Sequence, residues 1–333
     1  MKQKRSPLAG NVDRVNVILA YKGTVAPRYD SENVAEVLFR LNASIWKDVL
    51  PWCLCNTFLA AAVFYFNLQF AIATTDRGHS FMSLAVSYLL VTRTKICLER
   101  YMKQRGGLSD LTRTCKELVS HAISFTRFKN AEEDGTKWRC SVAKRTITLL
   151  KVIVSVLQYS TTKRNVWEIH DIPNEVKEAL LLAVGKSNQR SPLVLTLFLR
   201  TVIASHTRKL KHKLDVNQEL TLLKMTTDIL AAYTEILTYI NTPYPFPLVQ
   251  MTRTILIIYI FTLPLALAND VTSLIPYLLL IFFITYGFIG MELICVEIDD
   301  PFGDDPNDFD VDAIAKVSTC TCTVDFVIRV QIR

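Results

Sequence analysis

Four apolar runs divide the otherwise polar sequence. The first, 49–66, carries no charged residue, and the last two, 255–268 and 272–291, are separated only by a short polar turn. Uncharged runs of this kind are typical of membrane-spanning helices. The second run, 81–91, has only eleven residues and would cross about half of a ~30 Å hydrocarbon layer. We therefore expect four membrane passages, the second of which is too short to span lipid alone.

The second apolar run continues without interruption into a basic segment. Pro and Gly are absent from 81–105, so the pattern predicts a single helix that leaves the membrane and enters water or a polar protein interior. Its basic residues are Arg93, Lys95, Arg100, Lys103 and Arg105. A helix that is apolar at one end and basic at the other is an expected wall for an anion path.

Between the second and third apolar runs, apolar residues recur every three or four positions over 106–242. This spacing is typical of amphipathic helices. Segments rich in charge or turn residues predict loops at 129–137, 185–192 and 206–215. We therefore expect a large helical domain outside the membrane.

The polar leader before the first span contains a strand-like segment at 15–21 and a predicted helix at 31–41.

The predicted fold class is an all-α integral membrane protein with four transmembrane helices and a large helical extramembrane domain. Lysine and arginine flank the apolar runs on the domain side, which the positive-inside rule assigns as the inner side. The chain then divides into an N-terminal leader (1–46), the first two passages with the basic helix (47–105), the helical domain (106–249), the third and fourth spans (250–296), and an acidic loop with the C-terminal tail (297–333).

The composition agrees with a mixed membrane and aqueous protein. With 50% hydrophobic and 21% charged residues, the chain is too apolar for a typical soluble domain and too charged to lie wholly in lipid. The net charge of +7 comes with no nucleic-acid-binding motif, so no nucleic acid partner is expected. No secretory signal is recognisable. The sequence is compatible with location in a plasma membrane or, in a photosynthetic source, in a thylakoid membrane.

Cysteine and histidine usage points to no reaction centre. The eight cysteines and five histidines lack metal-ligand spacing, so reduced, structural thiols are expected. The sequence contains neither a Gly-rich phosphate loop nor a Ser, His and Asp set. We therefore expect no enzyme activity and no required cofactor.

Several segments in order resemble the bestrophin family. They are the short span that continues as a basic helix, the element Arg190, Pro192 and Leu193, the segment PFPLVQ before the third span, and DPFGDDPNDF at 300–309. The likeness covers roughly 40–312, and VTRTK and LERYMKQR look like the plant and bacterial branches. The resemblance implies a homopentameric anion channel, surrounded by membrane lipid, that conducts chloride and often bicarbonate.

The resemblance also implies which residues line the pore. The neck would be formed by Leu84, Tyr88 and Thr92, which are spaced by four and so share one stripe of the second helix. An inner constriction would lie at Leu193. The family's neck is usually apolar, so Tyr88 and Thr92 depart from it, and a hydroxyl-lined ring dewets less readily.

Hydropathy by itself favours a different face of this helix. Ser83, Ser87 and Thr94 are its polar residues, and their face lies about 100° from the Leu84 stripe. Small residues at 83 and 87 also suit close helix packing. Both assignments stay open at this point.

Cations on the inner part of this helix would draw anions towards the neck. These are Arg93, Lys95 and Arg100. For Arg93 a structural ion pair is favoured over contact with permeating ions.

The acidic segment after the fourth span has two interpretations. In animal bestrophins the corresponding loop holds calcium, which would place ligands at the carboxylates of Asp305 and Asp308 and the carbonyls of Asp300 and Asp304. Oxygen ligands around Gly303 suit a hard cation. Alternatively, the segment is a solvated acidic turn that caps a following helix.

Three functions remain for comparison. Passive anion conduction is the first. A secondary transporter of chloride or bicarbonate is the second, but the sequence lacks paired Gly- or Pro-interrupted spans and a carboxylate in mid-span. The third is a non-conducting membrane scaffold in which Tyr88 plugs a vestigial pore.

Overall fold

The computed structural model describes residues 33–41, 43–66, 76–130, 132–159, 165–168, 174–184, 188–268, 271, 273–303 and 307–311. Within these ranges every regular element is a helix, which confirms the all-α fold class. The strand-like segment predicted at 15–21 lies outside the described residues, as do Asp304 and Asp305 of the acidic loop.

Ten α-helices follow one another in the described chain. They are α1 (Val34–Phe39), α2 (Trp46–Tyr65), α3 (Asp76–Thr126), α4 (Glu133–Leu157), α5 (Asn174–Val184), α6 (Ser191–Ala204), α7 (His206–Lys209), α8 (Val216–Asn241), α9 (Phe246–Leu267) and α10 (Leu274–Glu297), with single 3₁₀ turns at Val166–Glu168 and Asn188–Arg190.

Helix α3 runs from the group of apolar, membrane-type helices into the helical domain outside the membrane. Its 51 residues give a length of about 76 Å at a rise of ~1.5 Å per residue. It continues through Gly106 and Gly107, where the sequence predicted that the basic segment would end. A Cβ at position 107 would lie 2.9 Å from Ile236 Cγ1 of α8. The second glycine therefore permits the close approach of two helices instead of ending one.

Four helices, α2, α3, α9 and α10, are long and apolar enough to cross a membrane. They share one apolar core, which includes Val49, Val86, Tyr259, Tyr277 and Ile281. The expectation that the second passage is limited to eleven residues is wrong. Helix α3 begins five residues before Phe81 and contains an 18-residue window of sufficient hydropathy, because apolar residues such as Ile96 and Leu98 follow the charged residues Arg93 and Lys95.

The remaining helices form the extramembrane domain. The second half of α3 packs on α4 and α8, and α6 packs on α4, α5 and α8. The apolar core between them includes Leu118, Trp138, Ile153 and Leu199. Phe302 and Val311 join the same core, so the segment after α10 folds back onto the domain.

Prolines begin one membrane helix and lie inside another. Pro245 precedes the first residue of α9 and Pro247 occupies its first turn, where the missing N–H of proline costs no hydrogen bond. The helix therefore starts nine residues before the predicted span at 255–268. Pro51 lies in the second turn of α2, not in the first as expected.

The predicted domain boundaries at 105/106 and 249/250 both fall within helices.

Candidate functional site

One face of α3 is exposed over its membrane half. The side chains of Leu84 and Tyr88 are 70% and 71% exposed, and Thr92, one turn further on, is also exposed. Val86 and Leu90, on the other side of the helix, are buried, and Val86 belongs to the apolar core shared by the membrane helices. The three neck residues predicted by the resemblance therefore share a face that packs on none of the described helices.

The alternative polar face is turned more towards the protein. Ser83, Ser87 and Thr94 are half-buried. Thr94 Oγ1 donates to the carbonyl of Leu90 at 2.8 Å and lies 3.3 Å from Cys295 Sγ of α10. Of the two candidate faces, the one with Leu84 is the more open in this chain.

Arg93 belongs to a cluster of three charges, two buried and one half-exposed, between three membrane helices. Its Nη1 lies 2.5 Å from Glu292 Oε1, and both side chains are 7% exposed. Arg253 Nε of α9 lies 2.6 Å from the same Glu292 oxygen. Arg93 thus forms a structural ion pair, as the sequence favoured. Breaking such a pair by removing one partner typically costs about 3–5 kcal/mol.

The other two cations of the inner basic helix have different environments. Arg100 Nη2 donates to the carbonyls of Tyr239 and Thr242 at 3.1 and 2.8 Å, and its Nε lies 3.8 Å from Asp299 Oδ1. Arg100 therefore satisfies carbonyls at the C-terminus of α8. Lys95 is exposed and lies 3.9 Å from Glu99. Of these three cations, Lys95 is the one with a solvent-exposed charge.

Leu193 lies in the first turn of α6 in the extramembrane domain, and its side chain is 56% exposed. Leu197, one turn later, is equally exposed. Leu195 and Leu199 on the other face belong to the domain core. Leu193, the residue predicted to form the inner constriction, therefore belongs with Leu197 to an apolar stripe that is exposed in the single chain.

The described part of the acidic loop brings two of the four expected oxygens together. A Cβ at Gly303 would lie 2.6 Å from Asp308 Oδ2 and 3.8 Å from the carbonyl oxygen of Asp300, so both oxygens face the space beside this glycine. Asp308 is buried. The described residues contain no group of three or more metal-ligating side chains, and the remaining two positions, 304 and 305, lie outside them.

The sequence matches the family model described as Bacterial/Fungal Bestrophin protein over residues 24–323. The chain belongs to the bestrophin family. With its four apolar helices, this bestrophin is an integral membrane protein.

Two curated relatives have names that state a function. The voltage-dependent anion channel-forming protein alr2987 of Nostoc sp. is 22% identical over 289 residues, which cover 84% of this chain and 88% of the relative. The voltage-dependent anion channel-forming protein YneE of Salmonella typhi is 22% identical over 283 residues, which cover 84% of this chain and 87% of the relative.

Solved structures share the fold. Two variants of a bacterial bestrophin homologue from Klebsiella pneumoniae superpose with TM-scores of 0.71 and 0.72 at 16% and 15% identity. The match covers 85% and 84% of this bestrophin and 99% of each of those chains.

Sequence reasoning missed Glu292 as the partner of Arg93 and Arg253 in this bestrophin. The signal was available, because Glu292 is the one charged residue of the stretch 274–296. An ionisable residue within an apolar span is expected to have a partner inside the protein. Its two arginines are 199 and 39 residues away in sequence, so their identity required the fold.

Proposed function

We propose that this bestrophin is a passive anion channel whose pore is lined by α3 from each subunit of a homopentamer, with chloride or bicarbonate as the permeant ion. The observation that supports it most directly is the exposed stripe of Leu84, Tyr88 and Thr92 on a helix that runs from the membrane layer into the aqueous domain. The names of the relatives from Nostoc and Salmonella point to the same function.

The stripe becomes more polar towards the domain. Leu84, Tyr88, Thr92, Lys95 and Glu99 are exposed and follow one another at intervals of four, four, three and four residues, so they share one side of the helix. A face that passes from leucine through hydroxyl groups to charges suits a path for hydrated ions better than contact with acyl chains. Symmetry-related copies of this face would surround the pore axis. Lys95 would attract anions at the inner end of the pore.

The charge cluster at Glu292 has a structural explanation that needs no transport cycle. The Glu292 carboxylate pairs with Arg93 of α3 and Arg253 of α9, as expected for an ionisable residue within a span. Passive conduction requires no further role for it.

Current through the purified full-length protein in planar bilayers tests the proposal. In a potassium chloride gradient the reversal potential should lie near the chloride equilibrium potential, and replacing chloride with gluconate should shift it. Tyr88→Ala should raise the single-channel conductance because it removes a ring from the proposed neck. Phe58→Ala is the matched control, since Phe58 is an equally exposed aromatic residue on α2. A potassium-selective current, or equal effects of the two variants, would exclude this pore.

We also propose that the acidic loop holds calcium. The Asp308 carboxylate and the Asp300 carbonyl would supply two of its oxygen ligands beside Gly303, and the resemblance implies the other two at Asp304 and Asp305. All four are oxygens, the ligand type that calcium prefers. Bound calcium would offset the negative charge of a loop whose aromatic residues Phe302 and Phe309 pack together.

A further inference from the structure

Two thiol groups of different helices meet on the protein-facing side of α3. Cys97 of α3 and Cys295 of α10 are far apart in the sequence, but their side chains are in hydrogen-bonding contact. Thr94 shares a face of α3 with Cys97, because the two are three residues apart, and its Oγ1 lies 3.3 Å from the Cys295 sulfur. The contact between the two thiols is therefore part of the packing of α3 on α10.

The two cysteines lie at the wall of a cavity of about 130 Å³. Its lining also includes Arg253 and Asp299, whose side chains are half-exposed, so the cavity reaches the protein surface. Water-sized molecules fit such a space, and hydrogen peroxide, with two oxygen atoms, is small enough to enter it. Cys97 is 2% exposed and Cys295 is fully buried. Cys97 is therefore the thiol that an entering molecule meets first.

We propose that Cys97 and Cys295 are a redox modification site at which hydrogen peroxide produces a reversible disulfide. The Cys97 sulfur attacks one peroxide oxygen and the O–O bond breaks, which gives a sulfenic acid, while the thiol proton leaves with the other oxygen as water. The Cys295 sulfur then attacks the Cys97 sulfur, the S–O bond breaks, and the hydroxyl group leaves with the Cys295 proton as a second water. A dithiol reductant restores both thiols by exchange.

The location of the pair favours a reversible bond. Cys97 lies one turn beyond Arg93 towards the extramembrane domain, on the side that the distribution of lysine and arginine assigns as the inner side. Thiols on the inner side of a cell membrane are kept reduced, and disulfides there are typically transient and redox-sensing. Bond formation would bring the two sulfurs to about 2.05 Å and join α3 covalently to α10. The inference goes beyond the proposed function, because both thiols belong to one subunit and their oxidation requires no conduction.

Peptide mapping of the full-length protein in detergent tests the site. After treatment with hydrogen peroxide, denaturation and alkylation of the remaining thiols, proteolysis should give a peptide with Cys97 joined to a peptide with Cys295. Dithiothreitol added before alkylation should abolish this product. In non-reducing denaturing electrophoresis the oxidised chain should still migrate as a single subunit. Alkylation of both thiols after peroxide, sulfinic acid at Cys97 without the cross-link, or a link between subunits would each overturn the proposal.

Matched variants separate a specific pair from general oxidation. Cys97→Ala and Cys295→Ala should each lose the cross-link, whereas Cys53→Ala should keep it, because Cys53 is an equally buried thiol on α2. Oxidation should raise the melting temperature of the wild-type protein by roughly 5 °C or more, and reduction should reverse the rise. An equal rise in Cys97→Ala or Cys295→Ala would contradict the assignment.

These measurements are independent of conduction. If bilayers show no anion current but the cross-link forms, the proposed function fails and the redox site stands. If the current is present but peroxide leaves both thiols free, the reverse holds.

Discussion

Replacing Gly107 with alanine is expected to lower the free energy of unfolding, whereas the same change at the adjacent Gly106 is expected to raise it. Both glycines lie inside α3, where alanine is favoured over glycine by about 1 kcal/mol. Nothing lies within 4 Å of a Cβ built at Gly106, but a Cβ at Gly107 would lie 2.9 Å from Ile236 Cγ1. The two substitutions therefore differ only in what the new methyl group meets.

The expected difference follows from that contact. Ile236 is fully buried in the core of the extramembrane domain, so it has little room to move. Inserting a methyl group into a packed core costs about 1–3 kcal/mol. The gain in helix propensity is common to both variants and cancels in the comparison. Gly107→Ala should therefore be less stable than Gly106→Ala by about 1–3 kcal/mol, which corresponds to several degrees in melting temperature.

Thermal unfolding of the detergent-purified protein, followed by circular dichroism, measures this difference. Repeating Gly107→Ala in an Ile236→Ala background supplies the control, because the shortened side chain leaves space for the methyl group. In that background the alanine at 107 should become neutral or stabilising. The reasoning is refuted if Gly107→Ala melts at or above Gly106→Ala, or if the effect at 107 is unchanged without the isoleucine.

Three further changes test other parts of the molecule. Arg100→Met should lower the melting temperature, since it deprives two carbonyls at the end of α8 of a charged donor, at a cost of about 1–3 kcal/mol; Arg100→Lys should lose less, and an unchanged melting temperature would contradict the contact. Burial raises the pKa of Tyr233, so its protonated form contributes stability that is present below pH ~10 and is lost as pH rises above the pKa of the unfolded chain; Tyr233→Phe should melt with a shallower alkaline decline. Calcium should raise the melting temperature of the wild-type protein and not of Asp308→Asn, with Asp110→Asn as an exposed control; stabilisation of all three alike would place calcium elsewhere.

The sequence was sufficient to predict the helical class and the four passages, because both depend on local hydropathy and periodicity. The sequence-based prediction misplaced the ends of those helices whose ends are determined by tertiary contacts. A pair of glycines is a common end signal for a helix, but packing between α3 and α8 keeps Gly106 and Gly107 helical. Prolines at 245 and 247 indicated a break in the chain, and in the structure they begin α9.

The candidate site was predictable only in part for the same reason. Spacing by four placed Leu84, Tyr88 and Thr92 on one stripe, but only the packing of the other helices shows that this stripe is the exposed one. Arg93, Lys95 and Arg100 all carry one positive charge, so the sequence alone does not distinguish their roles. The fold gives Arg93 and Arg100 structural partners and leaves Lys95 exposed.

Helix α3 is fixed at two heights, which limits how the exposed stripe can move. In the membrane layer the ion pair between Arg93 and Glu292 attaches it to α10, and in the domain the contact between Gly107 and Ile236 attaches it to α8. The two contacts are fourteen residues apart on one uninterrupted helix, a distance of about 21 Å. A rotation of α3 that withdraws Leu84 and Tyr88 from their present face must therefore break the ion pair, shift α8, or bend α3 between these points. The first of these costs about 3–5 kcal/mol, because it leaves a charge buried without its partner.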